Sequence, residues 1–409
     1  MTEHTHSHDC CNGIDRRRFL QGCGAVFALA AATTATAAED NPQPGDLDTL
    51  LCGLPTNWGR WGESDELGAL NFLGSRESFD GMKAAMKGGS KQIERFTLQL
   101  SVTGSADTDP LFVGRFPARK DNTLDARFDG MDGSPIPLPG GLKYADDTFV
   151  TRFFLQGTTH VDALGHAWYG KHLYNGYHQS TTATATSYPE AVTGLRDSNG
   201  DGDLEATPID MTYGLGAADI TAAAGAGIAG RGVLLDVGRH IGDDDNRLPT
   251  DYGISLEDLL STAEKQETDL RKRDIILIRT GSVERARDPT ASYDPLDEPG
   301  LVFSEELVQW FHEMETPVIG ADNVAIERAS QMIDGSVYFA PLHGALLRNL
   351  GISLLEILDL QSLSEACATD GIYDFLFTTA PLNVPGGTGA PANPVVLKAT
   401  RTDENDDER

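Results

Sequence analysis

His160, Asp162 and His166 stand within the run Gln156-Gly157-Thr158-Thr159-His160-Val161-Asp162-Ala163-Leu164-Gly165-His166. Imidazoles and carboxylates are side chains that bind divalent metals, and imidazoles also carry protons near neutral pH. If Thr158 to Asp162 is extended, side-chain alternation puts Gln156, Thr158, His160 and Asp162 on one face, which can hold a metal. His166 follows Asp162 by four residues, so a helical turn starting there returns its ring to the same place without making it a ligand. Two metal donors beside a free imidazole are the minimum for metal-assisted hydrolysis, in which the ion acidifies a water and the histidine moves protons. A His-x-Asp pair on a β-rich segment is also consistent with an ordinary surface hydrogen bond, so the choice turns on residues elsewhere.

The second group lies far along the chain. His343 precedes a helical pattern, Ala345 to Leu350, that Gly351 can close. Beyond it, Glu356 sits in the otherwise mostly apolar run Ile352 to Leu358. Burying that carboxylate alone costs several kcal/mol, so it needs a partner. A bound cation serves; the alternatives are a salt bridge to Arg348 or exposure on a helix face. Between the two groups, Ala167 to Gly176 is aromatic and punctuated by glycine. Trp168 and Tyr174 there, with Trp58 from the aromatic turn Asn57 to Gly62, suit a pocket for a planar substrate or, equally, a packed aromatic loop.

These residues need elements to position them. Ser75 to Lys87 reads as a helix, Gln92 to Val102 alternates like a strand, and Thr148 to Leu155 reads as the strand delivering the central motif. Asp107 to Asp147 is rich in Gly, Pro and Asp and reads as loops. Gly230 to Val237 and Arg273 to Gly281 are core strands, and a third leads from Pro317 into Ala321-Asp322-Asn323. Ser255 to Gln266, with Ser255 and Asp258 as a capping box, and Ser304 to Met314 are helices. Such alternation predicts a mixed α/β fold.

Composition narrows the partners. The 409 residues carry 62 Asp plus Glu against 32 Lys plus Arg, a formal charge of −30. That field repels nucleic acid and anionic lipid. Charge of this size is tolerable where salt screens it to about 3 Å, as at molar ionic strength, so a salt-loving source is expected, with a mesophilic acidic secreted protein as the alternative. Residues 1–37 read as an export leader: Asp15 to Gln21 fits the twin-arginine pattern, Gly22 to Ala32 is too short to span a bilayer, and Ala35-Thr36-Ala37 is a cleavage site. The expected destination is extracellular or extracytoplasmic, with no membrane span in the mature form. Residues 38–50 read as a linker, 51–400 as one catalytic domain and 401–409 as an acidic tail. The mature chain keeps Cys52 and Cys367, enough for one disulfide but no thiolate metal site. Asp197 to Glu205 imitates half a calcium loop, yet Pro208 stands where a bidentate Glu belongs, so a solvated acidic insertion is favoured.

The run Gly157 to His166 resembles the His-x-Gly-Thr-His-x-Asp-x-x-x-His signature of the cyclase family of metal-dependent hydrolases, which includes kynurenine formamidase-like and isatin hydrolase-like enzymes. Asn57 to Gly62, Arg231 to Asp236, Asp274 to Gly281, Asp322, His343 to Glu356 and Pro381 to Pro394 extend the likeness over most of residues 50 to 400. The resemblance implies one domain with a swivelling β/β/α, barrel-like core, usually dimeric or tetrameric. It also implies that His160 and Asp162 bind metal, that Asp162 can bridge two ions, that His343 and Glu356 complete a second position, and that His166 is the acid/base. Gln156 departs from the pattern, standing where the family commonly has a first histidine ligand; an amide oxygen is a weaker donor and favours a harder ion. Imidazole and carboxylate donors without thiolate suit Zn²⁺, Mn²⁺ or Fe²⁺, and the resemblance implies zinc, then manganese, as one or two ions. The implied reaction opens an amide, an aryl formamide or a cyclic amide, on a small carbonyl substrate; ester or lactone opening, or a non-catalytic extracytoplasmic binder of metal or small molecules, are the opposing readings.

Overall fold

The computed structural model describes residues 43–87, 92–105, 111–112, 115–122, 139–141, 147–197 and 204–401. The leader, most of the acidic tail and the centre of the calcium-like loop lie outside the described residues. The core is a sheet of nine strands: β1 (Ile93–Thr97), β2 (His160–Asp162), β3 (Ile228–Asp236), β4 (Ile275–Arg279), β5 (Val318–Ala321), β6 (Ser353–Glu356), β7 (Asp374–Thr379), β8 (Gly389–Pro391) and β9 (Val395–Ala399). Their order is β8-β2-β6-β5-β4-β3-β7-β9-β1. Strands β3 to β6 run parallel, while β7, β9 and β1 on one side and β2 and β8 on the other are antiparallel. The sheet curls into a half-barrel, a mixed α/β architecture of the cyclase kind.

The parallel centre is covered on both faces, which is why β3 and β4 are nearly unbroken apolar runs. On those faces lie α1 (Ser75–Ala85), α2 (Leu256–Lys265), α3 (Glu305–Glu313) and α4 (Gln361–Asp370). Ser255 caps α2 by accepting from Asp258 N–H while the Asp258 carboxylate returns to Ser255 N–H, as expected from the spacing. Ser304 caps α3 through Leu307 N–H.

Two expectations change. Residues 43–50 do not form a bare linker: Gln43–Pro44 pairs with Ser336 and Val337, and Leu47–Leu50 is a helical turn capped by Asp46. The strand expected at Thr148 to Leu155 is confined to Asp147–Phe149, followed by turns, and the motif's own strand begins only at His160. Hydroxyls replace the ladder there. Thr158 Oγ1 donates to Leu100 O (3.1 Å), and Thr159 Oγ1 donates to Ile357 O (2.5 Å) while accepting from Leu100 N–H. Cys52 is exposed, whereas Cys367 is a buried thiol.

Arg231 carries one of the buried charges. Its guanidinium bonds Asp274 (2.6 Å) and Asp374 (3.1 Å), joining β3 to the start of β4 and to β7. Burial pushes the Asp274 carboxyl up to about 6 against the pull of Arg231. Arg231→Met should therefore cost about 3–5 kcal/mol of unfolding free energy, since it strands a buried carboxylate. Losing Arg231 raises the Asp274 carboxyl further, so the deficit should shrink as pH falls toward about 6, where Asp274 is neutral in the variant, which denaturant titrations at several pH values will read.

Candidate metal centre

Strand register builds the site. His160 on β2 is paired directly with Glu356 on β6, and Asp162, two residues along on the same face, is paired with Gly389 on β8. His160, Asp162 and Glu356 are all buried, and their donor atoms lie within 4.8 Å of one another. His160 Nε2 is 3.2 Å from Glu356 Oε2 and 3.4 Å from Asp162 Oδ1. The other oxygen of each carboxylate faces His343, whose Nε2 is 3.3 Å from Glu356 Oε1 and 4.0 Å from Asp162 Oδ2. Each carboxylate is thus shared between two imidazoles.

The donors fit a metal. Both oxygens of Asp162 and Oε1 of Glu356 are buried without a hydrogen-bond partner, a costly state that a cation relieves. The second contact of each histidine aims its Nε2 inward: His160 Nδ1 lies 2.8 Å from Thr158 O, and His343 Nδ1 lies 2.8 Å from Glu327 Oε1. Burial opposes charge on His160, but Asp162 and Glu356 outweigh it and raise its pKa to about 9. Burial likewise opposes charge on His343, and Glu327 and Glu356 hold it well above the ordinary range. Burial would raise Asp162, yet His166, His160 and His343 hold it below the usual carboxylate range.

His166 sits beside this cluster. A turn closed by His166 N–H on Ala163 O brings its Nε2 to 3.9 Å from Asp162 Oδ1, with the side chain 31% exposed. Gln156 precedes the strand; its Nε2 donates to Thr388 Oγ1 (2.8 Å). A Cβ placed on Gly389 would lie 2.9 Å from that Nε2 and 3.3 Å from Asp162 Oδ1, so Gln156 borders the cluster and Gly389 leaves space for both.

The aromatic residues divide. Trp168 is 39% exposed near His166. Tyr174 is wholly buried and donates to Asp65, and Trp58 donates to Arg348 O, its ring 4.6 Å from the Arg348 guanidinium. Tyr174 packs inside the core with its hydroxyl satisfied, and the half-buried Trp58 packs against that core with its ring N–H satisfied. Arg348 is thereby committed to aromatic faces and leaves Glu356 to the histidines.

Glu327 escaped the sequence reading. Buried, it also accepts from Leu342 N–H and His343 N–H, so one carboxylate sets both the backbone and the ring of His343. Its only sequence signal is a lone acid within an ordered stretch. Glu327→Gln should weaken metal binding by about 10–100-fold, measurable by competition with a chelating dye.

The Cyclase family model matches residues 98–328. A crystal structure described as a novel cyclase is 30% identical, with a TM-score of 0.65, over 84% of this chain and 98% of that one. The chain belongs to the cyclase family. Isatin hydrolase A from Labrenzia aggregata, bound to benzyl benzoate, is 15% identical with a TM-score of 0.47, over 79% of this chain and 99% of that one. Isatin hydrolase A from Ralstonia solanacearum is 16% identical with a TM-score of 0.45, over 75% and 92%. No curated protein matches the sequence.

Proposed function

We propose that this protein is a metal-dependent hydrolase that opens an amide, an aryl formamide or a cyclic amide, in a small carbonyl substrate. The observation that carries it is the set of orphaned carboxylate oxygens of Asp162 and Glu356, flanked by His160 and His343, with His166 close by but aside. His160, Asp162, Glu356 and His343 would hold a divalent ion, zinc or manganese, which would supply Lewis acidity for the carbonyl and lower the pKa of a water from 15.7 toward about 7. His160 and His343 hold their Nε2 atoms inward, and Asp162 and Glu356 supply the negative charge that retains the cation. His166 takes the proton from the attacking water and returns it to the leaving nitrogen, so that the C–N bond breaks as a C–O bond forms. The products are a carboxylate and an amine, kept on one molecule when the substrate is cyclic. Export by the twin-arginine route, proposed from the leader, would place this reaction outside the cytoplasm.

The test is metal analysis of the purified protein together with turnover of aryl formamides, cyclic imides, isatins and lactones. Stoichiometric metal with amide opening supports the reading. Metal without turnover of any of them overturns it in favour of a binding protein.

A further inference from the structure

Arg115 has a role that neither the fold nor the metal centre explains. It is half-buried, 41 positions before Gln156, donates Nη1–H to Gln156 O, and stands 5.0 Å from the Phe112 ring. Among the described residues no carboxylate lies within ion-pair distance of it. Burial lowers its pKa, and the acids whose charge acts on it are Glu356 and Asp162, the two carboxylates of the metal centre. A guanidinium carries five N–H donors, and one backbone carbonyl uses one of them. Arg115 thus holds the main chain of Gln156, whose side-chain amide lies beside Gly389, the residue paired with Asp162.

Charge says what the remaining donors are for. The chain carries −30 overall, a field that repels anions. A divalent ion would offset the two carboxylates and leave Arg115 as a positive charge beside the site. A planar fork of donors fits a carboxylate in bidentate fashion.

We infer that Arg115 is an anion subsite at the edge of the His160–Asp162–Glu356 cluster and selects ligands bearing a small organic carboxylate. The inference relies on the hydrolase reading for the ligand's fate, as substrate or product, and not for its binding.

The test uses the full-length protein loaded with Zn²⁺, benzoate as the anionic probe, benzamide as its neutral counterpart, and calorimetric titration. Arg115→Gln removes the charge while keeping a donor for Gln156 O. It should weaken benzoate by about 10–100-fold, the worth of a charge-assisted hydrogen bond, and leave benzamide unchanged. Arg115→Lys, which keeps the charge without the fork, should fall between. Equal benzoate affinity in Arg115→Gln and wild type overturns the subsite and reduces Arg115 to a tether, visible as a lower melting temperature only. If Arg115→Gln fails to fold, wild-type affinity in Arg115→Lys together with equal binding of benzoate and benzamide to the wild type overturns it as well. Arg115-dependent benzoate binding without turnover of any carbonyl substrate sustains the subsite and defeats the hydrolase reading. Turnover with unchanged KM and unchanged benzoate inhibition in Arg115→Gln does the reverse.

Discussion

Asp162→Ala is expected to abolish metal retention and to lower turnover about a thousandfold or more. One oxygen of this carboxylate faces His160 and the other faces His343, so the substitution removes a donor from both sides of the site at once. The several kcal/mol that a Lewis acid contributes correspond to at least that factor at 1.36 kcal/mol per tenfold. Metal content by mass spectrometry, read beside turnover, distinguishes this from a folding defect; retained stoichiometric metal would remove Asp162 from the ligand set. The same geometry gives metal uptake a pH dependence of defined sign. Without metal, His160 is protonated below about 9, and an ion must displace that proton. Apparent affinity should therefore rise about tenfold per pH unit for each proton released. A raised histidine pKa stabilises the fold fully below about 6.5, its unfolded value, and that contribution is lost as pH rises through about 9. The metal-free protein should accordingly lose melting temperature between pH 7 and 9, and the metal-loaded protein should not share this loss.

What sequence reasoning could see is tied to short-range pattern. Alternation within Thr158 to Asp162 is a local property, and the structure keeps it for His160 and Asp162 across β2. Glu356 was legible for another reason: a lone carboxylate in an apolar run demands a partner wherever the strand lies, and the register puts His160 opposite it. The parallel strands and capped helices of the second half follow from runs of apolar and capping residues. Glu327, Arg115 and Gly389 were not legible, because each acts through a contact that depends on how distant segments meet. Glu327 reaches His343 across 16 positions, and Arg115 reaches Gln156 across 41. Thr159 is similar, its hydroxyl bridging to Ile357 across 198 positions. Trp58 and Tyr174 were ambiguous for the converse reason: an aromatic side chain with a polar tip suits a pocket wall and a core equally well, and its neighbours are set by distant segments.

The second large effect belongs to His166, and its position decides the form. The donor atoms of His160, Asp162 and Glu356 form the tight group, while His166 Nε2 stands 3.9 Å from Asp162 Oδ1 with about a third of its side chain open to solvent. A ligand would be enclosed with the others; a proton carrier must reach both the reacting water and the bulk. His166→Ala should therefore lower kcat by about 10²–10⁴-fold, the range for loss of a general acid–base, with metal content unchanged. KM should move little, since a proton transfer is made in the transition state and not in ground-state binding. Added imidazole should restore part of the rate in the variant, because a diffusible base can occupy the opened space and perform the same transfer. Loss of metal from His166→Ala would instead make His166 a ligand, and the proton would then have to be carried by another group at the mouth of the site.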